Sequence, residues 1–101
     1  MHKQYELEVL PGETFTSHIL DVGGDLASLW NSDDRHPAVS GVIYFNKDVS
    51  FKLNWEDSEP INLDSTLMAG RFEFAYGDTI IDKMLFGVAG ETTNVNIILF
   101  G

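Results

Sequence analysis

The segment DVSFKLNW, from Asp48 to Trp55, alternates strictly between polar and apolar residues. Its apolar members are Val49, Phe51, Leu53 and Trp55. Successive side chains of a β-strand point to opposite faces, so a period of two predicts a strand with one buried and one solvated face. On this pattern we expect Trp55 to lie in the core beside Phe51.

The same period recurs along most of the chain, most clearly from Tyr5 to Val9 and from Phe72 to Tyr76. Apolar segments at 15–20, 41–45, 61–68, 79–88 and 93–100 bring the total to about eight strands. Turn-forming residues separate strands at intervals of about 8 to 12 residues, which is typical of an antiparallel sandwich or small barrel. We therefore predict an all-β antiparallel sandwich, with a jelly roll as one option. One short helix, Leu26 to Asn31 with Asp25 as its N-cap, is predicted besides.

Length and composition limit the function classes. The 101 residues are enough for one domain, which we place at 1–101, and a chain with 44% hydrophobic and 22% charged residues is expected to fold. The absence of cysteine excludes disulfides and thiolate metal sites. A formal charge of −10 with six scattered basic residues argues against direct binding of nucleic acid. No apolar run reaches the about 18 residues that span a bilayer, so no membrane partner is expected.

The sequence offers one arrangement that resembles a catalytic triad. His18 follows Ser17 directly and precedes Asp21 by three residues. Adjacent residues of a strand face opposite sides, so Ser17 and His18 would not line one pocket. We therefore predict no catalytic residues and expect that the protein is not an enzyme.

Two acidic loops, from Asn31 to Asp34 and from Glu56 to Glu59, carry the oxygen ligands that Ca²⁺ prefers. Neither loop matches the spacing of an EF-hand, and the three histidines lack a metal-ligand spacing. Solvated turns are the favoured interpretation. We predict no metal and no cofactor, while calcium binding by these loops stays open.

Two segments are apolar at consecutive positions and would need cover on both faces of a strand. They are Val42 to Phe45 and the run Ile97, Ile98, Leu99 and Phe100. Cover can come from a loop or helix of the same chain, or from another copy. We predict that these four residues of the last strand, together with Trp30 beside the polar loop, form an interface.

The last quarter of the chain, GDTIIDKMLFGVAGETTNVNIILFG from Gly77 to Gly101, resembles the ending of small β-rich bacteriophage virion proteins. A strand introduced by IDK and a final strand in VNIILFG flank a turn of Gly, Glu, Thr and Asn. In such decoration (cement) or tail-associated proteins, this hairpin packs into a symmetric assembly. The resemblance implies an oligomeric protein that joins a larger assembly and carries no catalytic motif.

The leading hypothesis is therefore a non-enzymatic structural protein of a phage virion, forming a homo-oligomer with protein partners. It would be made in the host cytoplasm and located in the virion, or otherwise be cytoplasmic. The alternative is an acidic inhibitor that mimics nucleic acid and blocks a basic groove. The third hypothesis is a carbohydrate-binding sandwich that uses exposed aromatic side chains.

Overall fold

The structure is a computed structural model that describes residues 1–101 and contains eight strands and one helix. The strands are β1 (His2–Val9), β2 (His18–Leu20), β3 (Ser40–Phe45), β4 (Val49–Leu53), β5 (Ile61–Leu63), β6 (Arg71–Phe74), β7 (Met84–Ala89) and β8 (Thr93–Phe100). The helix, α1 (Val22–Leu29), lies between β2 and β3. It has eight residues, and no helix is long and apolar enough to cross a membrane.

The strands form two four-stranded antiparallel sheets, in the orders β1-β8-β3-β6 and β2-β7-β4-β5. The first strand pairs with the eighth, the second with the seventh, the third with the sixth and the fourth with the fifth. This nested pairing is that of a jelly roll. The predicted antiparallel sandwich of eight strands with one short helix is confirmed.

The two sheets enclose one hydrophobic core. Ile43, Ile97 and Leu99 enter it from the first sheet and are fully buried. Phe51 and Phe86 enter it from the second sheet, and their rings stack with centroids 4.9 Å apart. These residues alternate with outward-facing neighbours along their strands, as the period of two predicts.

The helix begins earlier than predicted, at Val22 instead of Leu26, and the residue before it is Asp21 instead of Asp25. Glycines are poor helix formers, so Gly23 and Gly24 favour a turn in the sequence. In the fold, the Gly23 N–H donates to the carbonyl oxygen of Asp82 at 2.9 Å, and the Asp82 carboxylate lies against the Gly23 Cα. Close tertiary packing therefore overrides local propensity here.

The prediction that Trp55 lies in the core is wrong, because its side chain is 69% exposed. Strand β4 ends at Leu53, and Asn54 adopts a left-handed φ of 68°. The Asn54 amide donates to the carbonyl oxygen of Ile80 at 2.9 Å and accepts from the backbone N–H of Asp82 at 2.8 Å. These bonds end the strand at Leu53, two residues before Trp55, and break the alternation.

Four other strands are shorter than predicted. Strand β6 ends at Phe74 instead of Tyr76, whose side chain is 83% exposed. Strand β2 begins only at His18, β5 ends at Leu63 and β7 begins only at Met84. After β5, the carboxylate of Asp64 accepts the backbone N–H groups of Thr66 and Leu67 at 2.9 Å each. An aspartate that binds the backbone two and three residues ahead forms a turn, so the strand cannot continue.

Candidate interaction surface

The outer face of the β1-β8-β3-β6 sheet is formed by alternate residues that point away from the core. We define this outer face by thirteen residues: His2, Gln4, Glu6, Glu8, Ser40, Val42, Tyr44, Arg71, Glu73, Asn94, Asn96, Ile98 and Phe100. The pairing of the four strands places these side chains in rows across the sheet. One row contains Gln4, Ile98, Val42 and Glu73.

The middle of the outer face is apolar. Val42, Tyr44, Ile98 and Phe100 form this apolar centre, on the two central strands β3 and β8. Phe100 is 44% exposed and Tyr44 is 43% exposed, while Val42 and Ile98 are partly exposed. Ile98 and Val42 are direct register partners, so the four side chains are contiguous.

Charged residues flank the apolar centre on both sides. Strand β1 contributes Glu6 and Glu8 at one edge of the sheet. Strand β6 contributes Arg71 and Glu73 at the other edge, with 2.9 Å between Arg71 Nη1 and Glu73 Oε2. A side-chain hydrogen bond with Tyr44 and the charge of Glu73 raise the pKa of Arg71, so its guanidinium stays charged. The outer face therefore has an acidic edge and an edge that carries its only arginine.

A shallow groove of about 630 Å³ lies at the end of the outer face farther from the termini. Glu6, Glu8, Tyr44, Asn94 and Asn96 line it, together with the turn at Ala69 and Gly70. The amide of Gln4 donates to Asn96 Oδ1 at 3.0 Å nearby. Most of these side chains are exposed, so the groove extends the outer face and does not form an enclosed pocket.

The loop between β1 and β2 covers part of the outer side of the other sheet, where Ile19 and Val88 remain 50% and 43% exposed. Leu85 pairs with Ile19 and Lys52 on that outer side, yet it is only 3% exposed. The carbonyl oxygen of Thr14 occupies the position where a side chain at residue 87 would stand. Lys52 Nζ lies 4.7 Å from the centre of the Phe15 ring. Partial cover from the same chain thus exists for one sheet, and the outer face of the other sheet remains open.

Three loops and both termini meet at one end of the sandwich, which we call the loop end. These connections are 21–39, which contains α1, 54–60 and 75–83. An isolated antiparallel β-bridge joins Ala38 and Ile81. The N–H of each residue donates to the carbonyl oxygen of the other at 2.9 Å. Exposed large hydrophobic side chains in these segments are Leu29, Trp30, Trp55, Tyr76 and Ile80. The loop end is therefore a second surface with unburied aromatic side chains.

Arg35 holds the loop end together, and no sequence pattern pointed to it. Its Nε donates to Asp82 Oδ1 at 2.9 Å, and its Nη2 donates to Asp21 Oδ1. The hydrogen bond with Arg35 lowers the pKa of Asp21. These contacts tie the start of α1 to the segment that follows the helix and to the distant loop 75–83, so only the folded chain reveals them.

The residues predicted to form an interface lie in three different places. Ile97 and Leu99 are fully buried in the core of their own chain. Ile98 and Phe100 lie in the apolar centre of the outer face. Trp30 lies at the loop end, where its ring centre is 5.1 Å from that of His36. Of these five predicted interface residues, only Ile98, Phe100 and Trp30 are thus accessible to a partner of the folded chain.

The triad-like residues do not meet. The Ser17 hydroxyl accepts the N–H of Thr14 at 3.0 Å, and His18 Nε2 lies 2.9 Å from Glu13 Oε1. Asp21 is bound to Arg35 instead. The loops at 31–34 and 56–59 belong to no group of three or more His, Cys, Asp or Glu side chains that could hold a metal ion.

No protein-family model, curated protein or solved structure matches this chain. Any functional assignment therefore depends on the chemistry of its own surfaces.

Proposed function

We propose that the protein is a non-enzymatic structural protein that self-associates and joins a larger assembly through the outer face. The resemblance of residues 77–101 favours a phage virion as that assembly, with the protein as a capsid decoration (cement) or tail-associated component. The observation that carries the proposal is the apolar centre, because contiguous exposed apolar side chains with a polar rim are typical of protein interfaces.

The apolar character of both faces of the last strand supports the proposal. Ile97 and Leu99 fill the core, whereas Ile98 and Phe100 face away from it. A folded monomer gains nothing from placing Ile98 and Phe100 in water, but an assembly gains the free energy of burying them. Jelly rolls serve as subunits of viral capsids among other roles, which makes the fold compatible with this function.

The test is the solution mass of the purified protein by light scattering, compared between wild type and an Ile98→Ser/Phe100→Ser variant. We expect wild type to exceed the monomer mass of 11.3 kDa and the variant to approach it. Leu67→Ser is the matched control, since Leu67 is 84% exposed but lies outside the outer face. A wild type that remains monomeric at all accessible concentrations would exclude self-association.

A carbohydrate-binding module is a second candidate, favoured by the exposure of Trp55 at the loop end. Trp55, Tyr76 and Trp30 all present rings to solvent there, and such rings can stack on the apolar faces of sugars. Titration with a panel of neutral oligosaccharides, followed by tryptophan fluorescence, tests this candidate. Binding that Trp55→Ala abolishes would support it, and a panel without any fluorescence change would exclude it.

A further inference from the structure

Building on the proposed self-association, we infer that the outer face packs against the outer face of a second copy. The twofold axis would run parallel to the strands, between β8 and β3. This axis reverses the strand order in the second copy, so β8 meets β3 and β1 meets β6. Residues in the same row of the sheet then face one another.

The rows bring complementary shapes together in the middle of this interface. Ile98 and Val42 share a row, so Ile98 of each copy meets Val42 of the other. Phe100 and Ser40 share another row, and the large ring therefore meets a small side chain. The apolar centres of both copies become buried against each other, which is the arrangement of a twofold interface made from one patch.

The rows also bring opposite charges together at the rim. Glu6 pairs with Asn96, Asn96 with Tyr44, and Tyr44 with Arg71, so Glu6 and Arg71 occupy the same row at opposite edges of the sheet. The twofold axis places Glu6 of each copy opposite Arg71 of the other, which creates two ion pairs. Complementary charges of this kind select one register over others.

The other twofold axis in the plane of the sheet, perpendicular to the strands, matches the apolar centre less well. Placed through the middle of the outer face, this axis sets Ile98 over Asn96 of the second copy, so an apolar side chain meets an amide. It also sets Arg71 over Glu73 of the second copy, so the two arrangements differ in their apolar contacts and not in the attraction between their charges. Burying an amide against an apolar side chain costs free energy, which opposes this second packing.

The size of the outer face predicts a weak dimer. Strands β1 and β8 have eight residues each, β3 has six and β6 has four, so at about 3.4 Å per residue and about 4.8 Å between strands one face covers about 420 Å². Two such faces bring together about 850 Å², which is below the about 1,200 to 2,000 Å² of stable interfaces and in the range of weak, transient ones. We therefore expect a dimer that forms and dissociates with concentration.

Charge reversal tests the arrangement in the full chain. Arg71→Glu would place a second carboxylate opposite Glu6, and Glu6→Arg would place a second guanidinium opposite Arg71. Each variant alone should therefore dimerise at least about tenfold more weakly than wild type. An equimolar mixture of the two variants restores an opposite pair at one end of the row and leaves the wild-type residues facing each other at the other end, so we expect it to form a heterodimer. The double variant Glu6→Arg/Arg71→Glu should also dimerise.

The readout is sedimentation velocity over a concentration series, with thermal unfolding of the same samples to show that each variant is folded. Lys47→Glu is the control, because it makes the same change of charge as Arg71→Glu outside the outer face. There, Lys47 Nζ lies 3.6 Å from Glu91 Oε2. Single variants that dimerise like wild type, or a mixture that stays monomeric, would overturn this arrangement while self-association itself stands. A monomeric wild type would instead reject the proposed function.

Discussion

Ile97 and Ile98 are neighbours in β8 and face opposite sides of the sheet. Ile97 is fully buried opposite Ile43, whereas Ile98 lies in the apolar centre opposite Val42. Ile97→Ala should lower the free energy of unfolding by about 2–5 kcal/mol, because it removes buried methyl groups and leaves a cavity. Ile98→Ala should have little effect on the monomer and should weaken self-association.

Urea unfolding at low protein concentration measures the first effect, since dimerisation adds apparent stability as concentration rises. Sedimentation of the same variants measures the second. Equal destabilisation of the monomer by both substitutions would contradict the division of β8 into a core face and an outer face.

The apolar pattern of the sequence was sufficient to predict the sandwich and the bounds of β8, whereas β1 begins at His2, earlier than the predicted Tyr5. It also identified Ile98 and Phe100 as residues in need of cover. Alternation is a local property, however, and it cannot show where a strand ends for tertiary reasons. Asn54 ends β4 because its side chain binds the backbone near Ile80 and Asp82, which are 26 and 28 residues away.

For a related reason, the sequence alone could not predict which residues share a row of the outer face. Glu6 and Arg71 share a row only because β8 and β3 lie between their strands. That strand order follows from the nested pairing of the jelly roll, which the sequence left as one option. The hydrogen bonds from Arg35 to Asp21 and Asp82 could not be predicted for the same reason, because Arg35 and Asp82 are 47 residues apart and only the fold brings them together.

Gly87→Ala should destabilise the protein, because the new Cβ atom would overlap the carbonyl oxygen of Thr14. The backbone around Thr14 must then move away from the sheet that it covers. Overpacking of this kind costs about 1–3 kcal/mol. Gly90→Ala is the matched control, since nothing lies within 4 Å of its Cβ position. Thermal melts of the two variants that coincide would contradict the close packing of this loop.

Arg35→Gln should lower the melting temperature at neutral pH by a few degrees at most, because its ion pairs are partly exposed. The pKa of Asp21 is lowered in the folded state, so the stabilisation is present above the ordinary range of an aspartate carboxyl and is lost as pH falls. The difference between wild type and Arg35→Gln should therefore shrink below about pH 4.

Melting curves from pH 7 to pH 3 measure this dependence. Lys47→Gln removes an ion pair between exposed side chains and should cause a smaller change. A difference between wild type and Arg35→Gln that grew as pH fell would reverse the expected sign and exclude the Asp21 contact as its source.

Trp55→Ala should leave the stability of the fold nearly unchanged, because the side chain is largely in water. Phe51→Ala, in the strand that precedes it, should cost about 3–5 kcal/mol because that ring is fully buried. Urea unfolding distinguishes the two substitutions. If Trp55→Ala lowered the free energy of unfolding as much as Phe51→Ala does, Trp55 would have to be a core residue.

Self-association should persist at high salt. The proposed interface buries the apolar centre, and apolar burial is not screened by ions and is strengthened by salting-out ions. The pairs between Glu6 and Arg71 lie at the rim, so salt should weaken dimerisation only modestly as the Debye length falls from about 10 Å at 0.1 M to about 3 Å at 1 M. The acidic inhibitor that mimics nucleic acid would behave differently, because many of its exposed carboxylates would have to contact basic residues of a target.

Sedimentation in a salt series, and retention of any co-purified partner in the same series, separate these two hypotheses. Dimers that dissociate at moderate salt, or a partner that nucleic acid displaces, would reject the apolar interface and favour the acidic inhibitor.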